Sequence, residues 1–555
     1  MEEKNNDGLW YKDAVFYELH VRTFKDSRDD GIGDFEGLTS KLDYLSDLGI
    51  DCIWLLPFYP SPLHDDGYDV SDFYSIHSDI GTMADFKKFI TTAHEKGMKV
   101  IIDMVFNHVS IEHEWFQEAR KGKENPKHDW FVWSESSEKY QDARIIFNDL
   151  EPSNWAWDAE AKEYYWHRFF SHQADLNYDN PEVKEEMMKV VIFWLELGVD
   201  GFRCDAVPYL FEREGVGYEN VPETHAFFKE VRAMMEKDFP GTILLAEANQ
   251  WPTEAIEYFG RDDEFHMVFN FPLMPRMFLS VAKGDRNAIV DIIEQVSTIP
   301  PNSQWATFLR NHDELTLEMV TDEERDFMWA EYAKHPKMRL NLGIRRRLAP
   351  LLDNDRLRME LMTGLLFSLP GSPTIYYGDE LGMGDNTYLG DRNGVRTPMQ
   401  WSPDANGGFS GADPEDLYMP LVINPGYHYE SVNVKTQSKL GYSFLSWNKK
   451  IIEVRKKSHA FGRGGFRLIP CENEKILAFI REYNDEKVLC IFNLSRKPTY
   501  FQLDLKDYAD QFPVELTSDT RFPRIKEERP YFFTLTGHRF MWFKLLNREE
   551  AMEFD

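Results

Sequence analysis

Acidic side chains stand at the ends of several short apolar segments, close to an arginine or a histidine. Asp205 follows Arg203 by two residues in GFRCDAV, so both side chains project from one face of a strand. Glu247 ends the apolar run of TILLAEANQ, and His312 and Asp313 end WATFLRNHD. Three carboxylates on one rim would repel one another unless a positive charge compensates them. The oxocarbenium-like transition state of glycoside chemistry supplies such a charge.

The neighbours of these residues suggest a role for each. The arginine two residues before Asp205 should keep that carboxylate ionised, as a nucleophile requires. Glu247 is flanked by apolar residues, and burial should raise its pKa so that it donates a proton. We assign Asp313 and His312 to binding the hydroxyls of a sugar ring. His108, which follows an earlier strand, is a further candidate for this role. The alternatives are a helix cap or ion pair for each aspartate and a structural hydrogen bond for each histidine.

Such residues meet only if the strands that carry them lie side by side. Eight apolar segments alternate with helical patterns along the chain, which predicts a parallel sheet covered by helices. Eight strands favour a closed (β/α)8 TIM barrel, whose working residues lie where strands end and loops begin. The predicted strands are 14–21, 51–57, 99–108, 201–207, 242–250, 265–272, 305–312 and 374–380.

Two departures from the repeat and a change of pattern divide the chain. We assign the catalytic α/β barrel to 1–108 and 180–454, and an inserted subdomain after the third strand to 109–179. A charged, helical excursion is predicted over 314–350. From 455 to 555 alternating strands without notable helices predict a C-terminal antiparallel β-sandwich domain.

Charge and cysteine content restrict the partners and the compartment. The net charge of −32 argues against nucleic acid and anionic membranes, because both would repel the chain. No apolar stretch reaches the roughly 18 residues of a membrane span, and the first fifteen residues show no secretory signal. Four scattered cysteines suit buried thiols in a reducing cytosol. We therefore expect a cytoplasmic enzyme acting on a small molecule; a homo-oligomer stays open.

Several motifs, taken together, resemble the α-amylase superfamily of glycoside hydrolases and transglycosylases. DMVFNH, GFRCDAV, LLAEANQ and FLRNHDE stand in that family's order at strands three, four, five and seven. HQADLN matches the extra segment before the fourth strand, with Ala174 where relatives usually have proline. Within the superfamily, YYWHRFFSHQADLNYDNP and NLGIRRRLAPLLDNDR are similar to the maltose α-glucosyltransferases. GDRNGVRTPMQWSPDANGGFS also resembles α-glucosidases and sucrose isomerases.

The resemblance implies a retaining interconversion of maltose and α,α-trehalose, with minor hydrolysis to glucose. Asp205 would attack the anomeric carbon while Glu247 protonates the leaving glucose, which then turns and attacks through its own anomeric hydroxyl. Water competes, so the pocket must close, and 109–179 and 314–350 are the candidate lid. An α-glucosidase acting on short oligosaccharides is the alternative, with the same three acids. A non-catalytic transporter subunit is disfavoured because the three acids are present.

The resemblance also implies the residues of the first sugar subsite. Asp313 is the third catalytic acid, and Phe147 contributes from the inserted subdomain. The other implied substrate-binding residues are Asp65, Tyr68, His108, Gln173, Arg203, His312 and Arg396.

Two metal sites are expected. The family binds structural calcium between the inserted subdomain and the barrel, and all-oxygen ligation suits calcium. The matching positions are Asn107, Asp175 and Glu212 by side chain and Tyr209 and Leu210 by backbone carbonyl.

The second expected metal site is an acidic loop near the amino terminus. The spacing of Asp26, Asp30, Ile32 and Asp34 resembles a Ca²⁺ or Mg²⁺ loop, and a solvated acidic turn is the alternative. Arg28 stands where relatives usually have asparagine, and a guanidinium cannot ligate a cation.

Overall fold

Eight parallel strands form a closed barrel in the computed structural model, which describes residues 8–554. Around the barrel the order is β1, β8, β7, β6, β5, β4, β3, β2, so each strand pairs with its neighbours in sequence and β8 closes on β1. Nearly every strand residue is buried, which explains the continuous apolar runs. The predicted fold class is confirmed. The strands are β1 Phe16–Leu19, β2 Cys52–Leu55, β3 Lys99–Val105, β4 Gly201–Asp205, β5 Ile243–Ala246, β6 Met267–Phe269, β7 Gln304–Phe308 and β8 Ser372–Tyr376.

Helices cover the outside of the barrel and begin at recognisable caps. Met83–Glu95 starts with a capping box between Thr82 and Asp85 and turns four apolar side chains inward. Pro181–Glu196 has Asn180 as its cap and proline at its first position. The other helices of the barrel part are Trp10–Asp13, Val21–Phe24, Phe35–Thr39, Leu42–Leu48, Pro222–Asp238, Pro252–Ala255, Leu273–Lys283, Asn287–Val296, Leu348–Leu351, Arg356–Ser368, Val434–Gln437 and Phe444–Lys456. Within residues 8–554, no helix has the length and apolarity needed to cross a membrane.

The inserted segment after β3 contains its own small sheet. Trp155–Asp158 and Trp133–Ser134 pair with Glu163–Trp166, and helix Glu114–Ala119 packs nearby. His108–Ser110 pairs antiparallel with Gln173–Asp175, which joins the two ends of the insertion.

The excursion after β7 is helical only in part. Asp322–Tyr332 is a helix, but Arg339–Leu340 and Gly343–Ile344 form a short antiparallel hairpin. The prediction of a helical segment was therefore wrong over 339–344, where Asn341, at the turn, takes a left-handed φ of 48°.

The C-terminal part is an antiparallel β domain, as predicted. Six strands form one sheet and two form a ribbon, and their inner faces share a core that includes Ile480, Leu489, Phe501 and Phe533. The sheet strands, in spatial order, are Gly465–Leu468, Ile476–Tyr483, Glu486–Asn493, Phe540–Leu546, Phe512–Glu515 and Thr520–Arg521. The ribbon strands are Thr499–Leu503 and Tyr531–Leu535.

Candidate active site

One buried arginine holds three carboxylates at the carboxyl ends of β3, β4 and β5. Arg203 Nη1 lies 2.5 Å from Asp103 Oδ1 and 2.6 Å from Asp205 Oδ1. Its Nη2 lies 2.6 Å from Glu247 Oε1. Arg203 is 1% exposed, so these pairs are little screened by water. The predicted contact between Arg203 and Asp205 is present, and Asp103 is a partner that sequence reasoning did not assign.

The two acids at this arginine differ in their tendency to ionise. Burial raises the pKa of Asp205 to about 6, with Arg203 opposing the shift. Burial raises the pKa of Glu247 to about 8, with Arg203 again opposing and the Asp205 charge adding to the rise. Near neutral pH the first is mainly ionised and the second mainly protonated, as a nucleophile and a proton donor require.

The backbone after β4 brings these acids together. Ala206 adopts a left-handed conformation with φ 50°, which is uncommon for a residue with a Cβ. In this conformation its N–H donates to Glu247 Oε2 at 3.1 Å. Asp205 and Glu247 each lie 2.6 Å from a terminal nitrogen of the same guanidinium, that of Arg203. Two carboxyl groups on one guanidinium are close neighbours, as they are in retaining glycosidases, where the separation is about 5 Å.

Asp313, which follows β7 in the chain, is held by two arginines and a histidine. Arg392 Nη1 and Arg396 Nη2 lie 2.8 and 3.2 Å from its Oδ1. His312 Nε2 lies 3.2 Å from its Oδ2. Burial alone would raise the pKa of Asp313, but the imidazole and the two guanidinium groups beside it outweigh burial and hold the pKa well below its usual range. Asp313 is therefore an ionised, acceptor-only group.

Arg392 is a site residue that the sequence prediction missed. Its Nη2 lies 2.6 Å from Asp65 Oδ1, so it joins Asp65 to Asp313. Its guanidinium also lies 5.2 Å from the ring centre of Phe147. The signal was available, because Arg392 belongs to the motif GDRNGVRTPMQW that supplied Arg396.

A cavity of about 830 Å³, including its open mouth, lies above these groups. Of the predicted subsite residues, Asp65, Tyr68, His108 and Phe147 line it together with the three acids. Arg203, His312, Gln173 and Arg396 contact those residues from behind, as in the 2.9 Å bond from Gln173 to Asp65 and the 2.8 Å contact between His312 and Tyr68. The lining residues that were not predicted as part of the sugar subsite are Ile146, Phe169, Ala206, Tyr209, Asn249, Phe271, Asn311, Glu314, Thr316, Glu318 and Arg392.

The insertion and the excursion meet beside this cavity, whose lining includes Glu318. Arg144, from the insertion, lies 3.2 Å from Glu318 of the excursion and 2.7 Å from Glu219 after β4. Glu318 also accepts a hydrogen bond from Asn249 at 2.9 Å. The two segments predicted as a lid are therefore linked to each other and to the barrel rim.

The residues expected to hold calcium lie at the base of the insertion. Asn107 Oδ1 and Asp175 Oδ2 are buried and have no hydrogen-bond partner. Burial and the neighbouring Glu212 raise the pKa of Asp175 well above its usual value, and burial raises that of Glu212 to about 7. Tyr209 and Leu210 lie just before Glu212 in the chain. Buried oxygen atoms without donors fit a hard cation.

The acidic loop at 26–34 is arranged differently. Asp26 accepts hydrogen bonds from the backbone of Arg28, at 2.8 Å, and of Gly31, at 2.9 Å. Asp34 caps helix Phe35–Thr39. Arg28 Nε lies 3.5 Å from both Asp30 and Asp34, and Ile32 donates to Asp30. The loop amides and Arg28 thus occupy its carboxylates, so the second metal site stays a prediction. Within residues 8–554, no three Asp, Glu, His or Cys side chains cluster as metal ligands.

The α-amylase catalytic domain family matches residues 18–342 and 344–464. The chain belongs to the α-amylase family. A second family, the C-terminal domain of maltogenic amylase, matches residues 466–542 in the antiparallel β domain.

Relatives within the family cover nearly the whole chain. A trehalose synthase/amylase of Mycobacterium tuberculosis is 56% identical over 98% of this chain and 91% of its own length. A trehalose synthase of Pimelobacter sp. is 54% identical over 97% of this chain and 96% of its own. An oligo-1,6-glucosidase of Bacillus cereus is 31% identical over 89% of this chain and 92% of its own. The crystal structure of a trehalulose synthase from Pseudomonas mesoacidophila superposes with a TM-score of 0.77 at 26% identity, covering 97% of this chain and 99% of its own.

Proposed function

We propose that the chain interconverts maltose and α,α-trehalose by an intramolecular, retaining glucosyl transfer. The observation that carries the proposal is the close pair of Asp205 and Glu247 on one guanidinium, one acid mainly ionised and the other mainly protonated. Retaining transfer needs these two roles at this short separation. The chain shares more than half of its residues with trehalose synthases over nearly its full length, which supports glucose rather than water as the acceptor.

The chemical steps follow from the positions of the acids. Asp205 attacks the anomeric carbon of the glucosyl residue, and Glu247 gives its proton to the glycosidic oxygen. The glycosidic bond breaks, one glucosyl unit becomes covalently bound to Asp205, and the other leaves as glucose. Glu247, now ionised, removes the proton from the anomeric hydroxyl of the turned glucose, which attacks the anomeric carbon and expels Asp205. Asp313 binds ring hydroxyls and, with Asp103, adds negative charge near the oxocarbenium-like centre.

The link between the insertion and the excursion favours transfer over hydrolysis. Released glucose must stay and reorient while water is kept out, and the contacts of Arg144 with Glu318 and Glu219 join the insertion to the excursion and to the barrel beside the cavity. Phe147 and Phe169 contribute apolar walls to the same cavity. An α-glucosidase would use the same acids but needs ready access of water.

Product analysis decides between the two functions. Purified protein is incubated with maltose, and trehalose and glucose are followed in time by NMR or chromatography. A parallel reaction contains excess ¹³C-labelled glucose. Trehalose formed without incorporation of the label supports the intramolecular route. Glucose as the sole product at all times would exclude the proposal and leave the α-glucosidase.

We also propose a structural calcium ion held by Asn107, Asp175 and Glu212 with the carbonyls of Tyr209 and Leu210. The unpartnered buried oxygens of Asn107 and Asp175 support this site. When bound, the ion ties the insertion to the barrel.

A cytoplasmic location is proposed as well. All four cysteines, Cys52, Cys204, Cys471 and Cys490, are buried free thiols, which suits a reducing compartment.

A further inference from the structure

His312 lies between two carboxyl groups on opposite sides of its ring. Nδ1 lies 2.6 Å from Glu18 Oε1, and Nε2 lies 3.2 Å from Asp313 Oδ2. Nε2 also lies 2.8 Å from the hydroxyl of Tyr68, whose ring stacks on the imidazole. Glu18 stands in β1, is fully buried and does not line the cavity. The proposed function gives it no role.

The partners on the cavity side require a hydrogen on Nε2. Ionised Asp313 can only accept a hydrogen bond. The Tyr68 hydroxyl can donate to Asp103 Oδ2 at 3.3 Å while its oxygen accepts from Arg203 Nη1 at 3.3 Å. With its hydrogen directed to Asp103, the Tyr68 oxygen can accept from the ring as well, in agreement with the donor that Asp313 requires. Nε2 is therefore the donor in both contacts.

The contacts on the inner side require a second hydrogen. Glu18 Oε1 accepts the backbone N–H of His312 at 3.0 Å and faces Nδ1 at 2.6 Å. A contact this short between an oxygen and a ring nitrogen contains a proton. Whether that proton rests on Glu18 or on Nδ1, the pair leaves the hydrogen on Nε2 in place.

We propose that Glu18 is a positioning residue that keeps Nε2 of His312 a hydrogen-bond donor toward a hydroxyl of the bound glucosyl residue. The inference rests on the proposed function for the identity of that sugar. Tyr68 and Asp313, the outer partners of Nε2, line the cavity, so a sugar hydroxyl placed between them meets this donor. The other charged groups facing the pair are Asp103, Arg203, Arg392 and Arg396.

Glu18→Gln tests the role because it keeps the shape and removes the proton. The amide oxygen must take the place of Oε1, since the backbone N–H of His312 needs an acceptor there. That oxygen then accepts from Nδ1–H, and a neutral imidazole has no hydrogen left for Nε2. A lone pair would face Asp313 and the sugar hydroxyl instead of a donor.

The Glu18→Gln variant should lose turnover but keep the wild-type fold. We expect kcat for maltose to fall roughly 10- to 100-fold, with KM changed less than about 3-fold, because sugar hydrogen bonds strengthen in the transition state. The matched control is Glu380→Gln, which replaces another buried barrel carboxyl, bonded to Tyr17 and Tyr44. It should keep wild-type kcat, and both variants should unfold within a few degrees of wild type. A kcat of Glu18→Gln within about 2-fold of wild type would overturn the proposal.

A double-mutant cycle separates action through His312 from a general defect. In a His312→Asn background, adding Glu18→Gln should change kcat less than about 2-fold, since its target is already gone. A full additional loss in that background would show that Glu18 acts elsewhere and would refute the inference. The cycle is read on whichever reaction the wild type catalyses, isomerisation or hydrolysis. Failure of the proposed function and failure of the Glu18 role are thus distinguishable.

Discussion

At the scale of single residues, the surroundings of similar carboxyl groups give them different pKa values and therefore different chemical properties. Asp313, beside two arginines and a histidine, has a lowered pKa, whereas burial raises the pKa of Asp205 and that of Glu247. All three are acids at strand ends in the sequence. These surroundings suit Asp205 to the proposed role of nucleophile, Glu247 to that of proton donor and Asp313 to that of ionised ligand.

Replacing the nucleophile should abolish turnover without unfolding the protein. Asp205→Asn removes the attacking oxygen charge, and we expect kcat for maltose to fall at least about 10³-fold. Initial rates measure the loss, and circular dichroism checks the fold. Asp504→Asn, an exposed carboxylate in the C-terminal domain, is the control and should keep full activity. Residual activity above a tenth of wild type would remove Asp205 as nucleophile.

A plot of kcat/KM against pH should be bell-shaped, with limbs near pH 6 and pH 8. Below about 6 Asp205 gains a proton and cannot attack, and above about 8 Glu247 loses the proton that it must donate. The measurement is kcat/KM for maltose from pH 4.5 to 9.5. Because the two acids interact, the charge on each one shifts the limb that the other controls.

A substrate that needs no proton donor provides the control for that profile. With α-glucosyl fluoride the first step requires no acid, so the alkaline limb should flatten while the acidic limb remains. An unchanged alkaline limb with the fluoride would contradict the role of Glu247.

At the scale of elements, the barrel supplies the acids and the inserted elements supply the enclosure. Left-handed Ala206 turns the chain after β4 so that its N–H meets Glu247 from β5. The insertion and the excursion each contribute residues to the lining of the cavity, and the ion pair of Arg144 with Glu318 connects the two segments. Chemistry and exclusion of water are thus carried by different parts of the chain.

Breaking this connection should favour hydrolysis. Arg144→Ala removes the contacts with Glu318, Glu219 and the Tyr209 hydroxyl, so water gains access to the glucosyl-enzyme. We expect the ratio of glucose to trehalose to rise several-fold at similar maltose consumption. Chromatographic product ratios measure it. The control Lys123→Ala breaks an ion pair inside the insertion and should leave the product ratio unchanged. An unaltered ratio in Arg144→Ala would show that the contacts of Arg144 do not exclude water.

At the scale of the whole molecule, the calcium proposal predicts a stability that depends on the ion. Removing bound cation leaves Asp175 and Glu212 as neighbouring buried acids, so chelation should lower the melting temperature by several degrees. Added Ca²⁺ should restore it. Calorimetry of the full chain measures both changes. Asp175→Asn should melt lower and respond much less to chelator; an equal response in this variant and wild type would place the ion elsewhere.

Much of the architecture and part of the site could be predicted from the sequence. The apolar segments that became β1–β8 and the acids Asp205, Glu247 and Asp313 follow from local patterns, because period and strand-end position are local properties. The hairpin at 339–344 was mistaken for helix, since a short charged segment without clear periodicity does not distinguish the two.

The tertiary structure alone decided which charges meet. Arg392 lies 327 positions from its partner Asp65, and Glu18 lies 294 positions from His312. No local pattern records such pairs, because closing the barrel is what brings them within hydrogen-bonding distance. The sequence thus determined which residues carry acids at which strand ends. Burial and long-range pairing, which exist only in the folded chain, determined which acid is charged, which is protonated and which histidine nitrogen carries hydrogen.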